Sequence, residues 1–195
     1  MIRMRTLFRL YILLTLLCAS VSSMAQSKAS MVYYVSPTAK GTGDGSSWDK
    51  ATTLSAALSA AQAGDQIWVQ GFETITKDGV YFVPEDQKVT GFTLKSGVQL
   101  YGGFKGDETS INDRVTLGKP YQMKFRSVLS GDLNNDDEVD NTNLIFPANG
   151  TRSDNATHVL TLNMDPKSSG NNNTYPTVIN GFTIAGGHAD GTSEK

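Results

Sequence analysis

The stretch TVINGFTIAGG, Thr177 to Gly187, decides how the rest of the chain is read. Val178-Ile179 and Phe182-Thr183-Ile184 are two β-prone runs with only Asn180-Gly181 between them. Two physical readings compete. Asn-Gly is the preferred two-residue connection of a β-hairpin, which would pair the runs antiparallel. Alternatively, Asn and Gly supply the positive φ of a sharp bend between strands that belong to different sheets. The same arrangement stands in FTLKSGVQLYGG, Phe92 to Gly103, around Ser96-Gly97.

Spacing favours the bend. Short runs also occur in DQIWVQG (Asp65 to Gly71), where Ile67 and Val69 alternate with Trp68 and Gln70, and in SVLSGD (Ser127 to Asp132) and HVLTLN (His158 to Asn163). Ile67, Val98, Val128 and Val159 are each about 30 residues apart, and Ile179 follows after about 20, within the range of repeat architectures. This predicts an all-β solenoid of parallel strands, in which each coil buries its inward residues against the next.

One segment has a different period. In DKATTLSAALSAAQAG, Asp49 to Gly64, Leu54, Ala57, Leu58 and Ala61 recur at three- and four-residue spacing and form a narrow apolar stripe on a helix. Ser46 with Asp49, or else Thr53, would cap its start, and Gly64 suits the left-handed position at its end. MVYYVS (Met31 to Ser36) precedes it as a further short strand ended by Pro37.

The N-terminus sets the compartment. Arg3, Arg5 and Arg9 precede the apolar run LYILLTLLCASV, which is too short to span a bilayer and is followed by Ser23-Met24-Ala25. Residues 1–25 read as a signal peptide, so the protein is expected outside the cell or on its surface, with no membrane span in the mature chain. Leu17 before Cys18 argues against a lipid anchor there. Removing three Arg lowers Lys plus Arg from 17 to 14 against 19 acidic residues, a formal charge of -5. That balance disfavours nucleic acid as a partner. The single Cys leaves with the signal, which excludes disulfides and thiolate chemistry.

Taken in order, YYVSPTAKGTGDGSSWDKATTLSAALSAAQAGDQIWV, GVQLYGGFKGDET, SVLSGDLNNDD, HVLTL and INGFTIAGGHADG resemble the N-terminal part of secreted bacterial right-handed parallel β-helix proteins of the pectin-lyase-like superfamily. The resemblance covers nearly all of the chain from Tyr33 onward. It implies a right-handed parallel β-helix solenoid with a short N-terminal capping α-helix: residues 26–64 form the strand, Gly/Ser loop and cap, and 65–195 the coils. The cap would cover the open end around Ile67 and Val69, blocking strand-to-strand aggregation. Further coils are usual in the family after GFTIAGG. The last coil here would therefore lack a cap, either because the chain is an N-terminal piece or because its edge pairs with something.

The acidic loop DLNNDDEVDN, Asp132 to Asn141, is the strongest chemical candidate. Counted from Asp132, oxygens fall at positions 1 (Asp132), 3 (Asn134), 5 (Asp136) and 9 (Asp140), the spacing of a calcium loop of the EF-hand or dockerin kind. Asp137 replaces the usual Gly at position 6, and Asn143 stands where a closing carboxylate belongs. A calcium site of about 10⁻⁴ to 10⁻³ M affinity, or else a solvated loop, is the expectation.

Other candidates are weaker. Gly41, Gly43 and Gly45 precede a helix as in a dinucleotide turn, but the spacing is G-x-G-x-G, and Asp65 comes before the second strand rather than after it. The superfamily's lyases use a Lys or Arg base and its hydrolases paired carboxylates. Lys95, Lys105, Arg114 and Arg126 are scattered through turns, and no motif selects among them. His158 and His188 have no third ligand at a recognised spacing. Trp48, Trp68, Tyr81, Phe82, Tyr101 and Phe104 could present rings to sugars or pack inside. The sequons at Asn149, Asn155 and Asn172 imply exposed loops. The functional expectation is a surface β-helix protein that binds glycan or another macromolecule without catalysis in this stretch. The alternatives are the N-terminal part of a polysaccharide lyase or glycoside hydrolase with its catalytic coils beyond residue 195, or a structural stalk or adhesin.

Overall fold

The computed structural model describes residues 29–119, 122–137, 150–163 and 175–189. The signal peptide expected at residues 1–25 lies outside them, as do Val139, Asp140, Asn143, Asn149 and Asn172.

Among the described residues nine strands form: β1 (Val32–Val35), β2 (Gln66–Gln70), β3 (Val80–Phe82), β4 (Phe92–Lys95), β5 (Gln99–Phe104), β6 (Ser127–Ser130), β7 (Leu160–Asn163), β8 (Val178–Asn180) and β9 (Phe182–Ala185). They make three sheets, ordered β1-β2-β5-β8, β3-β6-β9 and β4-β7, and every strand pairing is parallel. The chain passes through the three sheets in turn. Asn180-Gly181 therefore does not close a hairpin: β8 pairs with β5 and β9 with β6. Gly181 (φ +82) and Gly97 (φ +78) both take the left-handed conformation that these bends require.

The expected right-handed parallel β-helix solenoid needs correction. Among the described residues the strands gather in three separate small parallel sheets of four, three and two strands, with one helix and several 3₁₀ turns. No constant repeat relates them, because successive strands of the first sheet start at Val32, Gln66, Gln99 and Val178. The 30-residue spacing joined positions that are not equivalent. Ile67 lies in β2 and Val98 just before β5 in the first sheet, whereas Val128 lies in β6 of the second and Val159 borders β7 of the third. β3 had no signal of its own, since Tyr81 and Phe82 read equally well as surface rings.

The core lies between the sheets. Ile67, Leu94, Leu100 and Leu129 are fully buried there, one or more from each sheet. On the other face of the first sheet, Trp68 stacks on Phe104 with ring centroids 4.7 Å apart, and Tyr34, its register partner, meets it edge-on at 5.6 Å. Trp48 completes this second cluster and donates from Nε1 to the Glu108 carbonyl at 2.9 Å.

The one α-helix among the described residues, α1 (Leu54–Ala60), buries Leu54, Ala57 and Leu58 against β1, β2 and β4. Thr53 caps it, accepting from Ala56 N at 3.4 Å. Its end is Ala61, not Gly64. Lys95 Nζ donates to the carbonyls of Ser59 and Ala61, so the helix needs no glycine to stop, and Gly64 instead turns the chain into Asp65.

Candidate functional site

Between β6 and β7 the chain leaves the sheets and returns. The two ends of this excursion are joined at its base: Ala156 N donates to Gly131 O at 2.7 Å, Gly131 N to Ala185 O at 3.0 Å, and His188 N to Ala156 O at 2.9 Å. The acidic loop begins at once. Asp132 is 3% exposed, and its two carboxylate oxygens accept from Asp136 N (3.1 Å) and Asp137 N (3.2 Å), which folds the loop back over it. Burial is the main cause that raises its pKa, against the lowering effect of those amides. Leu133 packs on the core and fixes the loop's inner side.

The loop does not turn where a calcium hand would. The left-handed residue is Asn135 (φ +50), at position 4, rather than Asp137 at position 6. Asp132 and Asp136 do come together, but Asn134 is exposed and Asp140 lies outside the described residues. The third carboxylate is one that spacing could not reveal. Asp154, at the end of the 3₁₀ turn Gly150–Asp154 that leads back to the sheets, brings an oxygen within 4.8 Å of those of Asp132 and Asp136. Asn155, next to it, is 2% exposed and donates from Nδ2 to Asp137 Oδ2 at 2.7 Å. Its burial corrects the reading of this sequon as an exposed loop.

The remaining candidates have structural roles. Lys95 holds the end of α1. Lys105 pairs with Asp107 on the surface at 2.6 Å. Arg114 lies 5.4 Å from the ring centres of Tyr101 and Phe104 and donates from Nη1 to Gly102 O and Asn180 Oδ1, both at 2.9 Å. Arg126 exchanges backbone hydrogen bonds with Phe72. His158 lies on the surface with Nδ1 2.9 Å from Val89 O, and neither histidine belongs to a group of three metal-ligating residues among those described. The glycine-loop amides of Gly43 and Gly45 donate to Lys40 O and Lys50 O, while Asp65, 1% exposed, accepts from Met31 N and Gln62 N. Nothing there is arranged to cradle a pyrophosphate. Trp48, Trp68, Tyr81 and Phe104 are buried, so packing rather than sugar stacking accounts for these rings.

A second feature is apolar and open. Among the described residues, β7, β8 and β9 are the outermost strands of their sheets, each paired on one edge only. Along each register the inner residue is buried and the outer one is not. Leu94 (0% exposed) is followed by Leu162 (50%), Leu100 (0%) by Ile179 (40%), and Leu129 (0%) by Ile184 (50%). Burying each of the three fully would yield about 1 kcal/mol. Among the described residues no helix is long and apolar enough to cross a membrane. No family model, curated protein or solved structure matches this chain, so the resemblance to the pectin-lyase-like superfamily rests on the quoted motifs alone.

Proposed function

We propose that this is an exported, non-catalytic binding domain that docks an extended polypeptide on the edge formed by β7, β8 and β9. The exposure of Leu162, Ile179 and Ile184, in register with buried residues of the same three sheets, carries this reading. Strand edges offer unpaired backbone groups, and the side chains beside them offer apolar contact, the two components of binding by strand addition. A peptide is favoured over a glycan because four of the six rings that could have met a sugar are buried.

Selection from a random peptide library on the immobilised protein tests this. The expected binders alternate apolar and polar residues, and their binding drops at least tenfold in Ile184→Lys, with the circular dichroism spectrum unchanged. Enrichment of no peptide, together with retardation of the protein in polysaccharide gels, would overturn the choice of partner. Release of unsaturated products from acidic polysaccharides would overturn the non-catalytic assignment.

A further inference from the structure

The acidic cluster at the base of the 131–156 excursion gathers carboxylates from both of its ends. Three carboxylates from two separate chain segments converge within 4.8 Å, and like charges so close repel unless something stands between them. One of their oxygens, Asp154 Oδ2, is sealed from solvent without a hydrogen-bond donor. An independent observation comes from Asn155. This side chain is 2% exposed and is pinned against the loop by its Nδ2 bond to Asp137, yet its Oδ1 is buried with no donor. The amide orientation follows from that bond, because only the NH₂ end can donate to a carboxylate. A buried carbonyl oxygen left without a partner is costly, and a hard cation would satisfy it.

We propose that Asp132, Asp136 and Asp154, with Asn155 Oδ1 as a neutral donor, bind one calcium-class cation that clamps the two ends of the excursion together. Oxygen-only donors of mixed charge suit calcium, which accepts six to eight such ligands in flexible geometry and completes its shell with water. Magnesium demands near-ideal octahedral geometry and gives up its water reluctantly. The site differs from a calcium hand because its ligands come from both ends of the excursion. A cation would therefore fix the path of the chain there and leave the sheets unchanged.

Titration calorimetry and thermal melting of the purified protein with calcium chloride, and with magnesium chloride as control, decide the matter. The expected result is a saturable calcium heat with Kd about 10⁻⁴ M and a melting temperature about 5 °C higher in 10 mM calcium, with a smaller effect from magnesium. Asp136→Asn, at an exposed position that should not impair folding, and Asp154→Asn should each weaken binding at least tenfold. Asp78→Asn, exposed on a different turn, should leave it unchanged. Absence of heat and of any melting shift would overturn the proposal, and Arg152 of the same 3₁₀ turn would then be the source of positive charge. Equal calcium heat in Asp136→Asn, Asp154→Asn and the parent protein would overturn it as well.

Discussion

At the scale of single residues, backbone approach sets the strictest constraint. Gly181 holds φ +82, and a Cβ added there would stand 2.5 Å from Gly102 O, in the neighbouring strand of the first sheet. Gly181→Ala combines left-handed strain with a backbone clash that no rotamer relieves. A loss of roughly 1–3 kcal/mol in urea unfolding is expected. Ser127, fully buried, donates its Oγ hydrogen to Val69 O at 3.0 Å and accepts from Gly103 N at 2.9 Å, so it links the first sheet to the second. Ser127→Ala leaves both groups without that partner and should cost about 1–3 kcal/mol.

Asp44 gives a prediction in pH. Hydrogen bonds from the Ser46 side chain, Thr42 and the Ser46 amide lower its pKa from 3.8 to about 2. A carboxyl with a depressed folded pKa stabilises the fold above its unfolded value, and that contribution is lost as pH falls through about 2. A carbon-detected NMR titration of Asp44 should place its midpoint near 2, and Ser46→Ala should move it back toward 3.8.

At the scale of elements, α1 was the most legible part of the sequence and β3 the least. The helix announced itself because Leu54, Ala57 and Leu58 share one face, and all three are buried. Its end was misplaced because the group that satisfies its last carbonyls, Lys95, lies 34 residues beyond Ala61 and carries no local signal. Lys95→Met should lower stability by about 1 kcal/mol in thermal melts, fraying the last turn of α1 without disturbing β4. The acidic loop shows the same limit. Asp132 and Asp136 were visible as neighbours in sequence, but Asp154 reaches them, and Asn155 reaches Asp137, only through the return of the chain to Gly131. Short parallel strands are hard to read for a related reason, since their partners are set by crossovers and not by adjacent turns.

At the scale of the whole molecule, the strand positions were legible and their organisation was not. All six sequence stretches read as strands carry strands close to the expected residues, and two of them, FTLKSGVQLYGG and TVINGFTIAGG, carry two each. Equal spacing along the chain does not mean equivalence in space. Val128 and Val159 fall in or beside different sheets, so that spacing had no single structural meaning. The sheets also grade from a sealed interior to an open edge, and paired substitutions should expose this gradient. Leu100→Ala should cost roughly 2–5 kcal/mol, whereas Ile179→Ala, its register neighbour, should cost less than about 1. Equal losses at the two positions in chemical denaturation would mean that the edge is covered in solution.

The join of Gly131 to Ala156 has a consequence for engineering and for divergence. The hydrogen bond from Ala156 N to Gly131 O joins residues 25 apart, so the sheets on either side are tied together at that point by backbone contact. Once two points of a chain are held together, doubling the length of a loop between them costs only about 0.6 kcal/mol in closure entropy. An epitope inserted between the two joined ends should therefore be carried without loss of the parent fold, checked by an unchanged melting temperature, which would make the join an anchor for display.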